Sequence, residues 1–224
     1  MQPPSDILLD MRKIEYEIGE IYHIFNRGVD KRKIFSNQKD LNRFFESMIA
    51  FNSVKPIGSL FEQGFQKEKI KKPLVDIIAY NLLPNHFHLI LREIREGGIS
   101  EFMKRLAGGY TWYFNNKNKR SGVLFQSTFK GKHIDSNEYL LHVSVYVNLN
   151  DKIPLGGETA KLTAKLGNLT KSSWGEYLGD NNENVCKKDI ILEQFKNIAD
   201  YKEFAFSSLD DIRLNKEEYK DLEE

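Results

Sequence analysis

Apolar and polar residues follow two different periods along the first third of the chain. Residues 21–26 are rich in β-branched and aromatic side chains, which predicts a strand, and a basic turn with a glycine follows over 27–33. Beyond the turn, apolar residues recur at the spacing of one helix face. These residues are Leu41, Phe44, Phe45, Met48 and Ile49. Residues 54–73 contain several Gly, Lys and Pro residues, a composition that predicts a loop or an irregular hairpin.

The long apolar segment 74–92 is interrupted by Asn81 and by Pro84-Asn85. A turn or bulge at these positions splits the segment into two strands. The second strand then begins with His86-Phe87-His88. Because side chains two apart on a strand share a face, His86 and His88 are expected to project together while Phe87 packs behind them.

Two more helices and one more strand are predicted in the middle of the chain. A helix is expected over 100–116, although Gly108-Gly109 weakens its centre. A short strand follows over 127–134. Asp135 and Glu138 have capping-box spacing, which places the N-cap of a third helix at Asp135. The β-branched residues near 143–147 also permit a strand there. The resulting order favours an α+β domain, with an antiparallel sheet covered by helices on one face.

Composition and charge narrow the class of protein. The 224 residues are 40% hydrophobic and 29% charged, typical of a soluble globular protein. No apolar stretch has membrane-spanning length, and no secretory signal is expected. The single Cys186 excludes an intramolecular disulfide. A cytoplasmic location is therefore expected. Residues 1–175 hold 26 Lys and Arg against 18 Asp and Glu (net +8), whereas residues 176–224 hold 7 against 14 (net −7). The basic region suits a polyanion such as nucleic acid, and the alternative is a solvated surface beside an acidic tail.

The candidate catalytic and metal-binding residues include the histidine pair. Two imidazoles on one strand can bind a divalent metal if other ligands complete the site. If the third helix forms, His142, Tyr146 and Asn150 follow one another at one-turn intervals on one face. A tyrosine hydroxyl facing a metal can attack a phosphodiester, and the Asn150 amide oxygen is a candidate third ligand for magnesium or manganese. His142 and a metal-bound water are the candidate bases, while His23 is interpreted as a packed or hydrogen-bonded histidine.

Several ordered blocks of sequence lie between residues 22 and 178. The blocks are Tyr22-His23-Ile24-Phe25-Asn26-Arg27-Gly28, Arg32-Lys33-Ile34-Phe35, Leu83-Pro84-Asn85-His86-Phe87-His88-Leu89, Tyr110-Thr111-Trp112-Tyr113-Phe114-Asn115, Gly122-Val123-Leu124-Phe125-Gln126, Tyr139-Leu140-Leu141, Tyr146-Val147-Asn148-Leu149-Asn150 and Ser172-Ser173-Trp174-Gly175-Glu176-Tyr177-Leu178. Together they resemble the REP-associated tyrosine transposases, a branch of the single-strand insertion-sequence transposases in the HUH endonuclease superfamily.

The resemblance implies a fold and an activity. The fold would be a ferredoxin-like HUH palm over residues 1–155, with a helical, acidic extension over 156–224 packed on or beside it. His86 and His88, with Asn150 as third ligand, would bind Mg²⁺ or Mn²⁺. Tyr146 would attack single-stranded DNA at hairpin-associated sites to form a 5′-phosphotyrosine and release a 3′-hydroxyl, and a later attack by a 3′-hydroxyl would rejoin strands. The alternatives are a catalytically idle hairpin-binding protein and, less suited to this ligand set, a metallohydrolase with another substrate.

The residues expected to contact DNA are basic or aromatic. The basic candidates are Arg27, Lys31, Arg32, Lys33, Lys104, Arg105, Lys117, Lys119, Arg120, Lys130 and Lys132. Tyr110, Trp112 and Tyr113 offer rings for stacking unpaired bases, with helix core as the alternative interpretation. Two positions depart from the family pattern: Asp151 replaces the proline after Asn150, and Thr128 replaces a basic residue. The sequence leaves a monomer and a homodimer both open, and the acidic end is a candidate cover for the basic surface.

Overall fold

A computed structural model of the chain describes residues 15–55, 72–152, 169–181 and 183–214. Its centre is a five-stranded antiparallel sheet in the order β4-β1-β3-β2-β5. The strands are β1 (Ile21–Arg27), β2 (Val75–Leu83), β3 (His86–Glu93), β4 (Lys130–Ile134) and β5 (Lys171–Ser172). The helices are α1 (Gln38–Phe51), α2 (Gly98–Lys117), α3 (Asn137–Leu149), α4 (Trp174–Leu178), α5 (Asp189–Leu192) and α6 (Ile198–Leu214).

The first six elements have ferredoxin-like topology. They follow one another as β1-α1-β2-β3-α2-β4, and the corresponding strands lie in the order β4-β1-β3-β2. The predicted α+β fold with a ferredoxin-like antiparallel sheet is therefore confirmed. The predicted split of 74–92 at Pro84-Asn85 is also confirmed, because β2 ends at Leu83 and β3 begins at His86.

Helices pack on both faces of the sheet, so the expectation of one covered face is wrong. On one face, Ile24 and Leu89 belong to a core closed by α1 and α2. On the other face, Ala79 and Ile90 pack in a second core with α3 and α6. The strands carry apolar side chains toward both sides, so each face needs a helical cover to exclude water.

Residues 137–149 form a helix rather than the alternative strand, but its N-cap differs from the prediction. The Ser136 hydroxyl accepts a hydrogen bond from the Tyr139 amide at 3.3 Å, so the helix begins one residue later than an Asp135 cap requires. Serine and aspartate both cap helices well, and spacing alone could not choose between adjacent candidates.

Helix α2 runs unbroken through Gly108-Gly109. A Cβ atom on Gly109 would lie 2.8 Å from the Phe51 ring of α1, so a larger residue there would require that ring to shift. Buried Glu93 anchors the start of α2, since its carboxylate accepts hydrogen bonds from the amides of Gly98 (2.8 Å) and Ile99 (2.7 Å).

Segments beyond residue 168 add to the sheet and to the second core. Strand β5 pairs with β2, and the Ser173 hydroxyl donates to Asn148 of α3 at 2.6 Å. The Asn148 amide donates in turn to the Tyr201 hydroxyl of α6 at 3.1 Å. These bonds tie α3 to the C-terminal elements. Most of the predicted loop 54–73, the predicted boundary at 155–156 and the acidic end beyond 214 lie outside the described residues.

Among the helices of the described ranges, none combines the length and the apolar character needed to cross a membrane.

Replacing Asn52 with alanine is expected to destabilise the fold by about 3 kcal/mol, because three backbone groups lose their partner in a buried place. The Asn52 side chain accepts from the Leu74 amide (2.9 Å) and the Val75 amide (3.0 Å) and donates to the Val75 carbonyl (2.9 Å). Urea denaturation would measure the loss. The control Asn42→Ala, on the exposed face of α1, should change stability by less than about 0.5 kcal/mol. Equal stability of the two variants would contradict this role of Asn52.

Candidate active site

The pairing of β1 with β3 collects the candidate residues on the α3 side of the sheet. Phe25 lies opposite His88, and Arg27 lies opposite His86. Directly opposed residues of an antiparallel pair point to the same face. On the outer side of β1, Lys130 lies opposite Phe25 and Lys132 opposite His23. One face of three strands therefore carries two predicted metal ligands and three predicted DNA-contacting cations.

His86 is oriented by the residue before it. Its Nδ1 atom lies 2.7 Å from the Asn85 side-chain oxygen, and the ring is 2% exposed. An amide oxygen can only accept, so this contact assigns the proton to Nδ1 and leaves the lone pair on Nε2. The Nε2 atom has no hydrogen-bond partner among the described residues, although it is buried. Such an atom is suited to bind a metal ion.

His88 has a partner on the neighbouring strand. Its Nδ1 atom lies 3.0 Å from Nε2 of His23, and both rings are fully or nearly fully buried. Within the described ranges, the Nε2 atom of His88 also has no hydrogen-bond partner. The His86 and His88 rings lie edge to face with centroids 5.0 Å apart. The predicted convergence of the two imidazoles is thus present in the structure.

Helix α3 places Tyr146 over the histidines. The Tyr146 ring meets the His88 ring edge-on at a centroid distance of 5.5 Å and the His23 ring at 6.2 Å. Only 2% of Tyr146 is exposed. The last turn of α3 is held to the sheet by Asn81, the β2 neighbour of His88, whose amide donates to the Val147 carbonyl at 2.8 Å. This bond fixes the depth at which the helix sits over β3.

Asn150 follows α3 and is completely buried. Neither atom of its amide makes a hydrogen bond of good geometry to another described residue, although the amide lies close enough to His86 to act on the pKa of that ring. A buried amide without partners is costly unless a ligand satisfies it. The structure therefore brings together Tyr146, the two histidines of β3 and a polar group whose oxygen is available.

Burial keeps the histidines neutral. It lowers the pKa of His86 to about 3, with Arg27 acting in the same direction and the nearby Asn150 amide opposing the shift. Burial, and to a lesser degree Lys132, lowers the pKa of His23 to about 3. The pKa of His88 falls well below its usual value through burial and then through His86, His23 and Arg27. Neutral imidazoles are the form that binds metals.

The residues fit a small divalent-metal site of limited ligand number. Across the described residues, no group of three or more His, Cys, Asp or Glu side chains is arranged to hold a metal. The fit depends instead on the two Nε2 atoms and the Asn150 oxygen, all buried and lacking hydrogen bonds within the described parts. Two nitrogens and one oxygen, with water in the remaining positions, suit a magnesium or manganese ion.

His142 contacts helix α6. Its ring packs against Phe204 of α6 with centroids 5.7 Å apart, so its immediate surroundings are those of the α3–α6 contact. The role of His142 as the base for Tyr146 gains no support from this position. Helical spacing alone placed the two residues on one side of α3, but α6 covers the part that carries His142.

Two contributors were missed or underrated at the level of sequence. The sequence indicates only a turn at Asn85, yet the Asn85 side chain orients His86. His23 was expected to be packed or hydrogen-bonded, and this is confirmed, but its partner could not be named. Alternation along β1 places His23, Phe25 and Arg27 on one face, and this was the available signal. The missing information was the register against β3.

The predicted DNA-contacting cations fall into three groups. Lys31, Arg32, Lys104, Lys119 and Lys130 are exposed, while Arg27, Lys33 and Lys132 are partly buried. The other three make strong contacts within the chain: Arg105 pairs with Glu101, Lys117 with buried Asp40, and Arg120 donates to Asn115. These contacts use part of the hydrogen-bonding capacity of those three cations, as contacts with Val29 and Asp30 do for Arg32. DNA binding by any of the eleven stays a prediction.

The three aromatic candidates for base stacking differ in how far they are exposed to solvent. Tyr110 is fully buried and donates to the Ile34 carbonyl at 2.6 Å, so its stacking prediction is wrong. The ring is needed to fill the core between α1 and α2. Tyr113 is partly buried and donates to Asp40, whereas Trp112 is 66% exposed. The departure at Thr128 lies beside β1, where the Asn26 amide donates to the Ser127 and Thr128 carbonyls.

Comparisons with known proteins indicate the family to which the chain belongs. No curated protein matches the chain significantly. A solved structure of a REP-associated tyrosine transposase bound to a REP hairpin is 14% identical, with a TM-score of 0.45, covering 79% of this chain and 88% of that chain. The family model for IS200-like transposases matches residues 20–150, which is more than half of the chain and includes every residue of the candidate site. The chain belongs to the family of IS200-like transposases and is a DNA-processing enzyme.

Proposed function

We propose that this chain is a metal-dependent single-stranded DNA endonuclease and strand transferase whose nucleophile is Tyr146. The observation that carries the proposal is the position of the buried Tyr146 ring 5.5 Å from His88, beside two Nε2 atoms that lack hydrogen-bond partners in the described structure. Membership of the IS200-like transposases supports action on DNA. The sequence blocks further favour the REP-associated branch and hairpin-associated sites.

The proposed metal ligands are His86, His88 and Asn150. Their nitrogens and oxygen are buried and without hydrogen bonds to other described residues, which supports a divalent ion such as Mg²⁺ or Mn²⁺. When bound, such an ion would stabilise negative charge on the oxygens of the scissile phosphate. The low pKa values of the histidines keep both ligands neutral at neutral pH.

The proposed reaction is an exchange of ester bonds at phosphorus. The Tyr146 oxygen attacks the phosphorus and forms a 5′-phosphotyrosine, while the bond to the 3′ oxygen breaks and that oxygen takes up a proton as a free 3′-hydroxyl. The Tyr146 proton must leave as the bond forms, since a phenol with a pKa near 10 is a poor nucleophile. One ester replaces another, so a 3′-hydroxyl can reverse the step without external energy.

The positive charge of Arg27 supports the proposal that the scissile phosphate binds beside the two histidines. Arg27 lies opposite His86 in the paired strands, and its positive charge contributes to lowering the pKa of both His86 and His88. A positive charge beside two neutral ligands attracts a phosphate, and the attraction is strong in a poorly solvated site. Arg27 therefore positions the substrate in this account, while Tyr146 forms the new bond.

Lys130 and Lys132 extend the same positive face along the edge strand β4. They lie opposite Phe25 and His23, so their side chains share the face of the histidines. This arrangement supports a path for single-stranded DNA along β4 toward Tyr146, with contacts to phosphates rather than to bases. We place the catalytic domain at 1–155 and regard 156–224 as an extension that braces α3.

The substitution Tyr146→Phe should abolish the covalent DNA adduct while leaving hairpin binding within about threefold, because it removes only the nucleophilic oxygen. The test incubates the protein with end-labelled single-stranded hairpins and Mn²⁺ and follows the label on a denaturing gel. The matched control Tyr139→Phe lies two turns earlier on α3 and should form the adduct normally. An adduct that persists in Tyr146→Phe would refute the assignment, and wild-type protein that binds hairpins without any adduct would favour the idle binding protein.

The substitutions His86→Ala and His88→Ala should each lower the cleavage rate at least about 100-fold, because each removes a proposed metal ligand. Hairpin binding measured with a chelator present should change little. His133→Ala is the control, since His133 lies on β4 opposite Tyr22, on the other face of the sheet. Cleavage at the wild-type rate in either site variant would remove the proposed role of the metal.

The substitution Lys132→Ala should weaken binding of single-stranded DNA and lower the slope of log affinity against log salt by about 0.7, the value for one lost phosphate contact. Fluorescence anisotropy over a range of salt concentrations measures both quantities. The control Lys202→Ala changes an exposed lysine of α6 and should leave the slope unchanged. An unchanged slope for Lys132→Ala would place the DNA elsewhere.

A further inference from the structure

We propose that His23 is a positioning residue whose Nε2 atom accepts a hydrogen bond from Nδ1–H of His88, holding the His88 lone pair on Nε2 for the metal. The inference rests on the proposed function, since it assigns His88 as a metal ligand. It adds a residue on β1 to the site and gives that residue a defined task. His23 acts through His88 and is not itself counted as a ligand.

The geometry of the pair supports one direct hydrogen bond. His23 Nε2 and His88 Nδ1 are 3.0 Å apart, and their ring planes differ by 14°. The two residues lie on adjacent strands, where pairing of β1 with β3 fixes both backbones. His23 is 0% exposed and His88 is 1% exposed, so water does not compete for the contact. A buried hydrogen bond of this kind restricts both ring rotation and the position of the proton.

The direction of the bond follows from the chemistry of neutral imidazole. Each neutral ring has one N–H donor and one acceptor nitrogen. If His23 were the donor, His88 would accept through Nδ1 and would carry its own proton on Nε2, which could not then bind a metal. If His88 donates, its Nε2 lone pair faces the site. Metal binding is compatible only with the second arrangement, and His23 supplies the acceptor that this arrangement requires.

The neighbouring ligand has the same arrangement from a different partner. Nδ1 of His86 lies 2.7 Å from the side-chain oxygen of Asn85, which can only accept a hydrogen bond. In both ligands, therefore, Nδ1 faces a buried acceptor and Nε2 lacks a partner among the described residues. A ligand histidine whose second nitrogen donates to a fixed acceptor is the usual way to set its tautomer and orientation. The parallel between the two rings identifies His23 as the counterpart of Asn85.

Packing alone would not require a histidine at this position. The His23 ring stacks on Phe25 at a centroid distance of 4.9 Å and meets Tyr146 at 6.2 Å, surroundings that a phenylalanine would also fill. Burying a polar ring costs free energy that only a hydrogen bond offsets. The variant His23→Phe therefore keeps the shape and removes the acceptor, whereas His23→Gln retains an oxygen near the position of Nε2.

The first test measures Mn²⁺ binding without DNA, by calorimetry or by electron paramagnetic resonance, together with thermal melting and metal-free hairpin binding. His23→Phe should weaken Mn²⁺ binding by about 10- to 100-fold, the range for loss of a partner of a ligand histidine. His23→Gln should restore the affinity to within about threefold of wild type. His133→Phe, a change of histidine on the opposite face, should have no effect on Mn²⁺ affinity. Metal-free hairpin binding should be equal in all four proteins.

The second test reads the tautomer directly in wild-type protein, so it stands even if His23→Phe fails to fold. Long-range ¹H–¹⁵N correlation spectra of the Mg²⁺-loaded protein should show the His88 proton on Nδ1. A proton on Nε2, wild-type Mn²⁺ affinity in His23→Phe, or a His23→Gln variant as weak as His23→Phe would each overturn the inference while leaving the proposed function standing. Failure of the wild-type protein to bind Mn²⁺ would overturn both.

Discussion

The antiparallel pairing of β1 with β3 is the constraint on which the site depends. Its register places Phe25 and Arg27 beside His88 and His86 and brings His23 into hydrogen-bonding distance of His88. Side chains alternate along a strand, so a shift of one residue would turn His23 and Arg27 to the opposite face and into the core beneath α1 and α2. Apolar residues such as Ile24 and Leu89 resist this shift because they already fill that core.

Helix α3 completes the site, and its position is fixed from two sides. The Asn81 amide holds the Val147 carbonyl against β2, and Asn148 binds Ser173 and Tyr201 of the later segments. Val147 and Asn148 lie within two residues of Tyr146, so these hydrogen bonds restrain the turn of α3 that carries the proposed nucleophile. The C-terminal elements thereby help to position the proposed nucleophile, although they supply none of the proposed ligands. Their contribution is the placement of α3, and through it of Tyr146 and Asn150.

Much of this arrangement can be predicted from the sequence, and the predictions that fail do so for physical reasons. Strand alternation predicted that His86 and His88 converge, because that inference needs only local backbone geometry. The prediction that Tyr146 and Asn150 share one face of a helix likewise needs only local backbone geometry. Side-chain hydrogen bonds across the fold were inaccessible, so the partner of His23 and the anchor formed by Asn81 had no clear sequence signal. Tyr110 shows the same limit, since an aromatic on a basic helix can stack on a base or fill a core, and only tertiary packing decides.

In the proposed reaction, the hydroxyl oxygen of Tyr146, which is held over the neutral imidazoles of β3, forms the covalent bond to the DNA phosphate. The most direct measurement is tandem mass spectrometry of protein incubated with a single-stranded hairpin and Mn²⁺, then digested with nuclease and trypsin. The tryptic peptide 133–152 contains Tyr139 and Tyr146, and fragment ions separate the two. The account predicts a 5′-linked nucleotide phosphate on Tyr146 alone. A nucleotide on Tyr139, or on any residue outside this peptide, would contradict it.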